Sequence, residues 1–192
     1  MDEVPPHLQS VGEAARHILI EHLVPLGIFK MIINEYLSLV YPVIPIVHRP
    51  SFQRRLSTQD YERDPAFLRL CLSICAVTTS SMPRKIGIFG FGHYHDCRDL
   101  VTRAYSLVMA SRFASTQDWA DTPSMDTLLC SYLLSCASHY TEKASRAWML
   151  MNESLQTCRG LNIWNRDGYT GLSAIDAQIY RRIFWLLYIA QV

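Results

Sequence analysis

The densest group of side chains able to bind a metal is His93, His95, Asp96 and Cys97, in a stretch also carrying Gly87, Gly90 and Gly92. A structural zinc site needs four nitrogen or sulfur ligands, usually as two separated pairs. No second pair stands at a fitting distance, and the six cysteines (Cys71, Cys75, Cys97, Cys130, Cys136 and Cys158) contain no C-x-x-C. Cys71 and Cys75 lie one helical turn apart, but their alternation with Leu70 and Ile74 fits a packed apolar face better than a ligand pair. The six are read as reduced thiols filling core, and no metal or cofactor is expected in this chain.

Other chemistries fare no better. The glycines read G-x-x-G-x-G, whereas a dinucleotide loop needs G-x-G-x-x-G between a strand and a helix. There is no G-x-S-x-G nucleophile elbow, H-E-x-x-H zinc helix or phosphate loop. Asp118 and Asp121 are a lone acidic pair in a polar stretch, too little for a magnesium site. No catalytic residue is assigned, and the chain is not expected to be an enzyme.

The elements that carry these residues are helical. Phe29, Ile32, Ile33, Tyr36, Leu37 and Val40 form one stripe of a helix over Gly27 to Val40, which Pro42 and Pro45 stop. Ser51 can cap a short helix to Leu56, and Asp64-Pro65 opens another that ends near Ser80. Met82 to His95 reads as a loop. A helix starts at Asp96 and is broken from Ser111 to Asp121 by small polar residues. One follows Thr122-Pro123. The next runs from Lys143 to Arg159, with Ala147, Trp148, Met151 and Cys158 inward and Gly160 as a left-handed cap. The last starts after Ser173, with Ile175, Ile179, Ile183 and Leu187 in one row. The expected class is all-α: an irregular domain of about seven helices, no sheet, and a single unit over residues 1–192.

Composition sets further bounds. With 18 Lys+Arg against 17 Asp+Glu the formal charge is +1, so there is no basic footprint for gripping phosphates. Hydrophobic residues reach 49% while charged residues are only 18%, so the chain must pack densely or find a partner. Met1 to Ser10 is acidic and proline-bearing, unlike a secretory leader, and no apolar run is long enough to span a membrane. No membrane partner is expected.

Two segments carry a family resemblance. Pro42-Val43-Ile44-Pro45-Ile46-Val47-His48-Arg49-Pro50-Ser51-Phe52 holds aliphatic residues between prolines and then enters a helix. It resembles the "fPilh-x-PsF" segment of the fungal-specific transcription factor domain, the middle homology region of zinc-cluster transcription factors. Gly160-Leu161 is similar to that family's "LGLhr" turn, with Asn162 in place of histidine. Asp176-x4-Arg181-Arg182-Ile183-Phe184-Trp185-x2-Tyr188 resembles "E-x2-RR-x-fW-x2-Y-x2-DR", with Gln178 for glutamate and Gln191-Val192 for Asp-Arg.

The resemblance implies a nuclear regulator of RNA polymerase II transcription. Its DNA contact and zinc would reside in a separate zinc-cluster domain, and its partners would be proteins of the transcription machinery or an effector. The motif residues Pro45, His48, Pro50, Phe52, Gly160, Arg181, Arg182, Trp185 and Tyr188 are expected to act structurally. Phe52, Trp185 and Tyr188 would be core anchors, while Arg181 and Arg182 would bridge helices or meet carboxylates. Because the family's domain continues past the last helix, the chain is expected to be C-terminally shortened. An uncovered apolar face on that helix predicts self-association. A helical interaction module without a transcriptional role, and a small-molecule enzyme on a helical scaffold, are the other classes left open.

Overall fold

The most deeply buried helix is the one opened by Asp64-Pro65, because its sequence is apolar or small on every side from Cys71 to Ser80. A computed structural model describes residues 18–89, 92–114 and 122–191. The readings made for Met1 to Ser10, Gly90, Asp118, Asp121 and Val192 lie outside the described residues.

Eight α-helices are present among the described residues, and no strand. They are α1 (Leu26–Glu35), α2 (Arg49–Ser57), α3 (Pro65–Ser81), α4 (Ile86–Phe89), α5 (Cys97–Phe113), α6 (Met125–Tyr140), α7 (Ala144–Gly160) and α8 (Ala174–Gln191). The fold is all-α. Helix α3 runs through the middle, packed by α1, α5 and α6, and α7 turns back along α6 after a short connection at Thr141 to Lys143. Glu142 takes a left-handed conformation in that turn, φ 60°.

Side-chain caps set four of the helix starts. The Asp64 carboxylate accepts from the Ala66 and Phe67 amides, Asp96 from Asp99, Ser124 from Thr127 and Ser173 from Asp176. Each satisfies an amide that has no partner within its helix. Inside α3 the buried hydroxyls of Ser73, Thr79 and Ser80 donate back to carbonyls of the preceding turn. They add little bulk, so the neighbouring helices approach closely.

Charged groups also cross the core. Arg69 of α3 donates through Nε and Nη2 to Asp126 of α6, at 3.0 and 2.8 Å, and through Nη1 to Ser111 of α5 at 3.3 Å. Burial pushes the Asp126 carboxyl up, and the Arg69 guanidinium pulls the other way. Arg112 of α5 is 2% exposed and reaches Glu153 of α7 and Ser131 of α6, both at 2.8 Å.

Several elements differ from the sequence reading. The stripe from Gly27 to Val40 is two pieces: after Glu35 the backbone widens into a π turn over Tyr36–Val40, where the Tyr41 amide donates to the Tyr36 carbonyl at 2.7 Å. The stretch expected to be a loop from Met82 contains a 3₁₀ turn, Pro83–Lys85, and the short α4, held by burial of Phe89 and by Lys85–Glu35 at 2.6 Å. Helix α5 does not break at Ser111, because Ser111 and Arg112 are hydrogen-bonded into the core. Helix α2 starts before Ser51, with His48 in the capping position and its Nδ1 2.8 Å from the Ser51 Oγ.

All six cysteines are free: Cys71, Cys75, Cys130 and Cys158 are buried, and Cys97 and Cys136 half-buried. Burial pushes the Cys71, Cys75 and Cys130 thiols far up, and raises Cys136 to about 11. Only a thiolate attacks an aromatic disulfide reagent. In the native chain, modification at about pH 8 should therefore be confined to Cys97, with the other five appearing only in denaturant. Rapid modification of Cys71 or Cys130 in native buffer would contradict this packing.

Candidate functional site

The two motif segments, far apart in sequence, meet at Arg182. In the first segment Tyr36 is fully buried and its hydroxyl donates to the Ile44 carbonyl at 3.2 Å, fixing the aliphatic stretch against the π turn. Ile44, Ile46 and Val47 are buried, while Val43 faces out at 70%. Pro50 sits in the first turn of α2, where its missing amide costs nothing. Phe52, two residues further, is buried edge-on to Tyr36 and Phe67.

From α8, the Arg182 Nη1 donates to the Pro45 carbonyl at 3.2 Å and to the Tyr41 hydroxyl at 3.3 Å. Arg182 thus bridges α8 to the proline segment, through a carbonyl and a phenol and not through a carboxylate. Arg181, its neighbour, turns the other way and lies over the Tyr169 ring, 5.5 Å from the centroid. Ile183 and Leu187 are buried on the inner face of α8. Ile175 of the same row is 41% exposed.

Trp185 and Tyr188 were expected among the core anchors, yet they are 58% and 56% exposed. A helical stripe tells which residues share a face but not which face finds a covering helix, and the flank of Trp185, Tyr188 and Ile189 finds none among the described residues. The same correction applies to Trp148, placed inward by its spacing and 62% exposed. It borders a groove of about 410 Å3 between α6, α7 and the end of α8, lined also by Cys136, His139, Tyr140, Met151 and Ala190.

Between the α7–α8 connection and α8 lies a second cleft, of about 550 Å3. Ile163 is buried at its base, Trp164 and Trp185 stand half-open, and Arg166 and Arg181 bring one guanidinium from each element. Tyr169 and Phe184 complete the aromatic lining. Burial pushes the Tyr169 hydroxyl up, against the pull of Arg181. Sequence reasoning named Arg181 and Trp185 but missed Trp164 and Arg166, which sit in a short connection whose one 3₁₀ turn, Arg166–Tyr169, is too brief to show a periodicity.

Two glycines shape this connection. Gly160 was expected to be a left-handed cap, but it belongs to α7, and the left-handed residue is Asn162, φ 55°. Gly160 is instead a point of close approach: a Cβ there would stand 2.4 Å from the Pro123 Cγ, at the entry to α6. At Gly168 a Cβ would meet the Asn162 carbonyl oxygen at 2.2 Å, so only glycine lets the connection fold back over its own start. Gly168→Ala should therefore cost about 1–3 kcal/mol in urea unfolding, and should alter Trp164 emission in the folded state. Wild-type stability together with unchanged emission would contradict that packing.

The metal-like group does not assemble. Asp96 caps α5, while His93 and His95 are exposed. Among the described residues no three His, Cys, Asp or Glu side chains come together as a metal site, and no single helix is long and apolar enough to cross a membrane.

Comparison with known families agrees with the two motifs. The family model described as the fungal specific transcription factor domain matches residues 33–192, from within α1 through α8. No curated protein and no solved structure matches significantly.

Proposed function

The chain belongs to the family of the fungal specific transcription factor domain, and on that premise we propose that it modulates RNA polymerase II transcription in the nucleus. It is a regulatory domain of a fungal transcription factor, and its family is not an enzyme family. In the proposed division of labour, a separate zinc-cluster domain contacts DNA and holds the zinc. This chain contributes no DNA-binding element and no cofactor.

The observation that carries this reading is the family match over residues 33–192, which includes both motif segments. The bond from Arg182 to Pro45 supports it, because it makes the two segments one unit. Balanced charge supports the assignment of DNA contact elsewhere, since a protein that neutralises many phosphates needs a surplus of Lys and Arg. The half-exposed Trp148, Trp185 and Tyr188 supply the kind of aromatic surface that protein partners use. That surface also supports self-association or contact with the transcription machinery.

Replacing the coding segment for residues 33–192 at its own locus by a neutral linker, followed by sequencing of polyadenylated RNA, tests the role. A defined set of transcripts should change. An unaltered transcript profile would sink the proposal. The purified chain alone should produce no sequence-selective mobility shift at physiological salt, and nanomolar selective binding would overturn the assignment of DNA contact to another domain.

A further inference from the structure

We propose that the cleft between the α7–α8 connection and α8 binds a small planar aromatic carboxylate. The inference deepens the regulatory role proposed above and takes its purpose from it.

Charge comes first. The ion pairs among the described residues use Arg55, Arg69, Lys85, Arg98 and Arg112, and none of them involves Arg166 or Arg181. Neither of the acids closest in sequence, Asp167 and Asp176, is ion-paired with either arginine. The Asp167 carboxylate lies 3.5 Å from the Asn165 amide nitrogen, and Asp176 accepts from the Ser173 hydroxyl at 2.7 Å. Two guanidiniums on separate elements therefore line one cleft without a carboxylate of their own. A guanidinium offers a planar fork of donors and no acceptor, and a carboxylate fits that fork with two parallel bonds.

The rest of the lining selects a flat, apolar body. Trp164 and Trp185 are 54% and 58% exposed, so large indole surfaces face the cleft or its rim unburied. Tyr169 and Phe184 stand beside them, and Tyr169 already holds the Arg181 guanidinium against its ring. Aromatic guests gain from offset stacking on such rings beyond the area they bury. The volume, about 550 Å3, lies within the range of roughly 300–1,000 Å3 typical of small-molecule sites.

Other ligand classes fit less well. A neutral aromatic would desolvate two guanidiniums without compensation. An aliphatic acid would leave the indoles wet. A phosphodiester chain needs a longer cationic track than two arginines supply.

A route to regulation is built into the helix. Arg181 faces the cleft while Arg182 holds the Pro45 carbonyl and the Tyr41 hydroxyl. A ligand that draws Arg181 toward Arg166 acts on the same turn of α8 that grips the proline segment.

The site is tested with the whole chain and 2-naphthoate as the probe, following the indole N–H signals by NMR. Trp164 and Trp185 should shift saturably, with Trp148 unmoved. The neutral analogue 2-naphthamide should bind more weakly by about tenfold or more. Arg166→Gln with Arg181→Gln should lose about tenfold or more in affinity while melting as the wild type does, and Arg166→Gln alone should fall between. Equal binding of acid and amide, an unaffected double variant, or a response centred on Trp148 would each overturn the proposal. Because the readout is binding alone, a chain that binds the probe but leaves transcription unchanged would refute the regulatory role and not the site.

Discussion

Replacing Arg112 by alanine should cost the fold about 3–5 kcal/mol, which is a large part of the stability of an ordinary domain. The side chain is almost wholly buried, and its donors reach two neighbouring helices. Nη1 donates to Glu153 of α7 at 2.8 Å, and Nη2 to the Ser131 hydroxyl at 2.8 Å and the Thr127 carbonyl at 3.3 Å, both on α6. Alanine removes these donors and leaves a void. The Ser131 hydroxyl, fully buried, would lose this donor, and a buried polar group without a partner costs more than the bond itself contributes. Arg112→Met restores most of the volume but none of the donors, so it should recover only the cavity part of the loss. Urea unfolding of the three proteins separates the two parts. A loss under about 1 kcal/mol for alanine would mean that the α5–α6–α7 junction is held by apolar packing alone.

Phe52→Ala should be of similar size, about 3–5 kcal/mol. The ring is 3% exposed and stands edge-on to Tyr36, centroids 6.3 Å apart, and to Phe67 at 5.6 Å. It connects the proline segment to the central helix, so its loss opens a cavity where three elements converge. Phe52→Leu keeps most of the volume and should cost about 1.5 kcal/mol or less. The thermal midpoint and urea unfolding report both. Near-wild-type stability of the alanine variant would show that the proline segment is not anchored through this ring.

What could be read from the sequence was local. The caps at Asp64 and Ser173 were legible because a capping side chain acts on amides two or three residues away. The proline-held segment was legible because proline sets its own backbone angle and restricts its predecessor. The all-α class followed from periodicity, which survives small errors at the ends of helices.

The errors came from contacts between distant residues. Ser111 and Arg112 look like a helix stop by composition, and only their partners on α6 and α7, together with Arg69 on α3, keep α5 going. Trp148, Trp185 and Tyr188 have the spacing of core residues. Their exposure depends on which neighbouring helix is present, and no spacing within one helix encodes that. Gly160 was rightly singled out for the wrong cause: its neighbour in space is Pro123, and not a left-handed turn of its own. Arg182 was expected to bridge helices or meet a carboxylate. Its acceptors, the Pro45 carbonyl and the Tyr41 hydroxyl, lie well over a hundred residues earlier in the chain. The cleft was invisible for the same reason. Arg166 belongs to a single 3₁₀ turn in a short connection, and only the folded chain brings it into one cleft with Arg181 and Trp185.

The central claim is that the two motif segments, joined through Arg182, form one transcriptional regulatory unit. The most direct test tethers the chain to an unrelated DNA-binding domain and measures a reporter in a fungal host, beside an Arg182→Ala version shown by circular dichroism to be folded. The wild-type fusion should shift reporter output away from that of the bare DNA-binding domain, and Arg182→Ala should return it toward that baseline at equal protein level. A wild-type fusion indistinguishable from the bare DNA-binding domain would contradict the regulatory reading, and an Arg182→Ala fusion as active as the wild type would contradict the joint.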